Sequence, residues 1–156
     1  MEVNFTLDDF GNEAESLQAA AAGRVPEESE YLWGAFVLSH AGQPTLTLSD
    51  DLFALAAPLC GPVVQRLHQG QAANLTMAGW PGDYDFTPAP GGQVRITGTG
   101  GADATYPQLA LAEALQACGR RLAACMTEFA DLSPACGPAA QALVKAIDQA
   151  AATAPR

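Results

Sequence analysis

The side chains with the widest chemical reach in this 156-residue chain are four cysteines and two histidines. The thiols are Cys60, Cys118, Cys125 and Cys136, and none forms the closely spaced pair with which a zinc site or dithiol motif begins. Cys118 and Cys125 fall on an apolar helical seam, where a thiol behaves as a small hydrophobe. Cys136 falls in a connection between helices, a place that leaves its exposure open, and a nucleophile there needs a positioned base. His40 is expected in a hairpin turn and His68 near a helix end, and the pattern supplies neither with a partner. No serine stands in a Gly-x-Ser-x-Gly context and no His-Glu-x-x-His pair exists. Gly98, Gly100 and Gly101 follow a strand but do not match Gly-x-Gly-x-x-Gly, so they read as a flexible connection. Asp83 and Asp85 share one face of a strand. That spacing suits a divalent cation or an acid/base pair, and equally suits a solvated strand face. Asn4-Phe-Thr6 and Asn74-Leu-Thr76 match glycosylation sequons, which carry meaning only behind a secretion signal. The expectation is a chain without catalytic residues, metal or cofactor.

Charge says more. Seven basic residues face seventeen acidic ones, a formal net of −10. Through Asp51 there are ten acids against Arg24 alone, a net of −9, and the remainder is nearly neutral. Nucleic acid and anionic lipid need clustered Lys and Arg, and Lys145 is the only lysine, so neither is expected as a partner. The same field steers a basic protein surface toward the N-terminal third, or simply keeps an alanine-rich protein soluble. No run approaches the ~20 apolar residues that span a bilayer. Met1-Glu2-Val3-Asn4 lacks the regions of a signal peptide, so a bacterial-type cytoplasm or similar reducing compartment is expected.

The elements that must carry these residues follow from periodicity. Val3, Phe5 and Leu7 alternate with polar neighbours as in a half-buried strand. A short helix over 12–22 has Leu17 as its only large apolar residue. Tyr31 to Leu38 is apolar on both parities, as in a covered central strand, and Thr45 to Leu48 pairs back on it as a hairpin. Ser49 or Asp50 caps the next helix, whose stripe is Leu52, Leu55, Leu59, Val63 and Leu67, kinked by Pro58 and Gly61-Pro62. Leu75 and Met77, Tyr84 and Phe86, and Val94 and Ile96 mark three further strands. Pro107 opens a long helix with the seam Leu111, Leu115, Cys118, Leu122, Cys125, Phe129 and Leu132. Ser133-Pro134 stops it, and Pro138 opens the last helix.

The chain therefore reads as one α+β domain over 1–156. A mainly antiparallel sheet of five to six strands with one kinked helix fills 1–104, a helical hairpin fills 105–152, and 153–156 fray. If Leu46, Leu48, Tyr84, Phe86, Val94 and Ile96 face the helices, then Thr45, Thr47, Asp83, Asp85, Thr87, Arg95 and Thr97 share an open polar face. Trp80, in a loop beside Asp83, Tyr84 and Asp85, has the composition of an interface anchor.

A small acidic α+β domain with a strand-hairpin-helix start, the meander around Asp83-Tyr84-Asp85-Phe86 and Gln93-Val94-Arg95-Ile96-Thr97, and two closing helices resembles the immunity proteins of bacterial polymorphic-toxin systems. The resemblance implies an inhibitor that binds one cognate toxin and occludes its active site without catalysis of its own. The residues expected to meet a basic partner are Asp8, Asp9, Glu27, Glu28, Glu30, Trp80, Asp83, Tyr84 and Asp85. Two rivals remain. One is an adaptor or chaperone for a secreted effector that uses Trp33 or the last helix. The other is an enzyme or ligand-binding module with Arg95, Arg120 and His68 around a pocket between sheet and helices. A homodimer is also left open. If the acidic third steers a partner, reversing Glu27, Glu28 and Glu30 to lysine lowers the association rate in stopped-flow while the thermal melt stays in place. Unchanged binding and an unchanged melt would make these residues a solvated surface only.

Overall fold

The computed structural model describes residues 1–10, 31–79, 82–131 and 133–155. It is an α+β protein whose strands form two antiparallel sheets, of three and four strands, rather than one. The first holds β1 (Glu2–Phe10), β2 (Leu32–Ser39) and β3 (Leu46–Asp51) in that order. The second holds β4 (Ala73–Thr76), β5 (Asp83–Ala89), β6 (Gln93–Gly98) and β7 (Ala102–Pro107), a plain meander.

The single sheet fails because β3 does not hand over to another strand. Its last residue, Asp51, caps α1 (Leu52–Pro58): Oδ1 accepts from Phe53 N at 3.1 Å and from Leu32 N at 3.0 Å. The expected cap was Ser49 or Asp50; the side chain that does the work lies one position on. From there α1 passes through a π-helical turn (Leu59–Val63), containing Pro62, into the short α2 (Val64–His68). This turn is the kink that Pro58 and Gly61-Pro62 lead one to expect. Only then does β4 begin, and it pairs with β5 rather than with β3. Thr45 and Thr47 are exposed, but on the first sheet, so they do not share a face with Asp83 and Asp85.

The seventh strand is the second difference. Ala102-Asp-Ala-Thr-Tyr106 alternates correctly, yet its inner residues before Tyr106 are alanines, which give little hydrophobic signal. Pairing with β6 over Gln93↔Pro107 to Gly98↔Ala102 holds it in the sheet. Pro107 closes the strand, and the long helix α3 (Gln108–Glu128) starts one residue later. The last helix, α4 (Cys136–Ala151), starts two residues before Pro138, so Cys136 lies in its first turn rather than in the connection, and is fully buried. The predicted helix over 12–22 and the seam residue Leu132 lie outside the described residues.

One core joins both sheets and the four helices of the described residues. It runs from Val3, Phe36 and Leu48 through Leu59 and Leu67 to Phe86, Ile96, Tyr106, Leu115 and Ile147. Gly61 lets α4 approach the π turn, since a Cβ there would sit 2.7 Å from the Cβ of Ala146. Polar contacts at both ends of β3 help fix how the sheets meet, among them the Thr105 amide donating to Gln43 Oε1 at 3.1 Å. Tyr106 is fully buried, with its hydroxyl 2.7 Å from the Pro44 carbonyl at the β2–β3 hairpin. Asp50, 0% exposed, reaches from β3 to the residues after β4: Oδ2 accepts from Ala78 N at 2.6 Å, and Oδ1 from Gly79 N at 2.7 Å and Asp51 N at 2.8 Å. Gly79 has no room for a side chain there, because a Cβ would meet Asp50 Oδ1 and the Trp33 ring.

Removing Asp50 takes the acceptor from three amides, two of them on the exposed residues Ala78 and Gly79, where water makes good part of the loss. Asp50→Ala is expected to cost about 2–3 kcal/mol in urea unfolding, and Asp50→Asn, which keeps one acceptor, about half of that. A loss under about 1 kcal/mol for Asp50→Ala would show that the sheets do not depend on this contact.

Candidate protein-interaction face

Strand parity divides the four-stranded sheet cleanly. Leu75, Phe86, Val94, Ile96, Ala104 and Tyr106 turn into the core and are buried. On the other face Asn74, Thr76, Asp83, Asp85, Thr87, Arg95 and Asp103 are exposed, with Thr97 and Thr105 half-buried. Register sets Asn74, Asp85, Thr97 and Asp103 in one row across all four strands, with Thr87, Arg95 and Thr105 in the next. This face is flat, hydroxyl-rich and turned away from the core.

Its polar groups are partly prearranged. Asn74 Nδ2 donates to Asp85 Oδ1 at 2.9 Å, and Thr76 Oγ1 donates to Asn74 Oδ1 at 3.3 Å. Arg95 grips Asp103 with both arms, Nε to Oδ1 at 2.8 Å and Nη2 to Oδ2 at 2.6 Å. The hydrogen bonds from Arg95 hold the Asp103 carboxyl below its ordinary range, and those to Asp103 raise the guanidinium in turn. Both side chains are more than half exposed, so water screens the pair. Three carboxyls thus share the face with one guanidinium already spent on one of them, which leaves Asp83 and Asp85 as its net charge. Asp83 is placed by its own amide, which donates to Thr99 Oγ1 at 3.1 Å.

The residues picked out from the sequence are distributed unevenly around this face. Asp83 and Asp85 lie on it, side by side along β5. Tyr84, between them, points to the opposite side and packs half-buried against the core. Asp8 is exposed where the β1–β2 register slips, the extra residue of a bulge between Leu7 and Asp9. Asp9 stands opposite Trp33 in that ladder. Glu27, Glu28, Glu30 and Trp80 lie outside the described residues. Trp33 is half-buried, edge-on to Tyr31 with ring centroids 5.4 Å apart. Arg95, Arg120 and His68 sit in three places: Arg95 on the open face, Arg120 paired with Asp148 at 2.9 Å between α3 and α4, and His68 with Nδ1 3.1 Å from the Ala150 carbonyl. Asn74 and Asp103 were not singled out from the sequence. Recognising β7 by its alternation would have found Asp103.

Among the described residues no group of three or more His, Cys, Asp or Glu is placed to hold a metal ion. No described helix is long and apolar enough to cross a membrane. No protein-family model, curated protein or solved structure matches the chain.

Burial favours the neutral form of Cys60, Cys118 and Cys125. Cys60, whose Sγ donates to the Leu115 carbonyl at 3.3 Å, is pushed well up, with nearby Cys118 adding to the effect. Burial lifts Cys118 to about 11 and raises half-buried Cys125 less far. Between the ordinary thiol value of 9.0 and about 11 the unfolded chain has lost the Cys118 proton that the folded chain keeps. The stability it contributes is therefore full below pH 9.0 and falls away as pH rises toward about 11. Ellman's reagent at pH 8 is expected to label Cys125 first, and Cys60, Cys118 and Cys136 only on unfolding. Rapid labelling of all four in the native protein would contradict this burial.

Proposed function

We propose that the protein is a non-enzymatic binding protein that inhibits a basic partner by covering its active cleft, in the manner of the bacterial immunity proteins it resembles. The observation that carries this reading is the uncovered polar face of the four-stranded sheet, with Asp83 and Asp85 projecting together from β5. A sheet face is already rigid, so little conformational entropy is lost when a partner seats on it. Threonine and asparagine offer short side chains that donate and accept hydrogen bonds, and the two carboxyls supply charge where a toxin that handles nucleic acid or nucleotides presents Lys and Arg. The remaining acidity acts at longer range. A chain of net −10 draws a basic protein in before contact, and its acidic N-terminal third adds to that field. In this reading the partner is a cognate toxin or effector met in the bacterial cytoplasm.

The test is a tagged pull-down from native cells at low and then moderate salt, resolved by mass spectrometry. One stoichiometric basic protein is expected. Asp83→Lys combined with Asp85→Lys should lower its association rate about tenfold or more at low salt, with a smaller effect at high salt and an unchanged melt. Recovery of the protein alone, or a partner indifferent to both substitutions, would remove this face from the account.

A further inference from the structure

An open groove of about 930 Å³ runs between α3 and α4 on the outside of the helical layer. Its lining includes Ala123, Ala124, Ala140 and Ala152, so another backbone can come close. One wall is a stripe along α4 made of Gln141, Val144, Lys145, Asp148, Gln149 and Ala152, spaced three and one apart so that all share a helix face. Val144 is one of three large apolar side chains exposed among the described residues. Lys145 makes no ion pair among the described residues, while Asp148 is held by Arg120 across the groove.

We infer that this groove is a homodimer interface, in which α4 of one copy packs antiparallel on α4 of a second. The occupant is fixed by charge. Around a two-fold axis between Ala146 and Ile147, Lys145 falls opposite Asp148 of the second copy, and Asp148 opposite its Lys145. Val144 then meets Gln149, and Gln141 meets Ala152. The stripe is its own complement, as an isologous contact requires. Each interface gains two ion pairs, and each Asp148 is bracketed by its own Arg120 and the second copy's Lys145. Location strengthens the case, because two chains of net −10 repel except where a face is free of excess acid. The groove carries two cations and one carboxyl. Pairing there leaves the polar face of the four-stranded sheet uncovered on both copies, and the inference does not rest on what that face binds.

Sedimentation velocity over about 1–100 µM tests it. A concentration-dependent dimer is expected. Lys145→Glu should raise its dissociation constant at least about tenfold by setting like charges opposite each other twice, and Asp148→Lys should do the same. The double swap, Lys145→Glu with Asp148→Lys, restores the opposed pairs and should recover most of the affinity. Lys145→Glu breaks no ion pair within the described chain, so it reads the interface even if Asp148→Lys weakens the helix pair. A monomer at every concentration, a dimer unmoved by Lys145→Glu, or a swap that recovers nothing would overturn the assignment.

Discussion

Most of this architecture depends on one buried carboxyl group. β3 and β4 are separated in sequence by a kinked helical segment and never pair, so no backbone ladder fastens the two sheets together. Asp50 supplies the missing connection. Its two oxygens take three backbone amides, two from beyond β4 and one from its own successor. Such a site is tolerated in a core only when its acceptors are well used, and here each oxygen has at least one partner. At the other end of β3, Tyr106 fastens the hairpin to β7 through the Pro44 carbonyl. Between these two points the leucines of β3 need only be apolar and of suitable size.

This division of labour explains which parts of the fold could be read from residue order. β1, the β2–β3 hairpin, β5, β6 and the long helix announce themselves through large apolar residues at period two or 3.6, and the structure has them. β7 does not, because Ala102 and Ala104 fill its inner positions and only Tyr106 has bulk. The separation into two sheets was hidden more deeply. It rests on Asp51 capping a helix and Asp50 turning inward, and two adjacent aspartates look alike in a sequence, where both suit the first turn of a helix. Periodicity tells which way side chains point along one strand. It does not tell which strands are neighbours.

The candidate face shows the same limit at smaller scale. Asp83 and Asp85 are legible as a pair because alternation alone puts them on one side. Their surroundings are not, since Asn74 reaches Asp85 only through the β4–β5 register, and Asp103 joins the face only once β7 is recognised. Tyr84 shows the converse: a residue next to two candidates in sequence belongs to the core, because each step along a strand changes sides. The arrangement gives the protein two surfaces of unlike character, an acidic, hydroxyl-rich sheet and an alanine-lined helical groove.

The π turn between α1 and α2 also constrains how this chain can change over generations. A wide turn places one more residue in the helix path than the regular α spacing would, and Val63, Val64 and Leu67 reach the core only with that residue present. Loss of one residue anywhere from Leu59 to Val63 would rotate α2 by about 100° and carry Val64 and Leu67 toward water. An exposed residue along this stretch that plays no part in the kink, such as Gln65, tolerates a change of kind. The number of residues in it cannot change without turning Val64 and Leu67 away from the core.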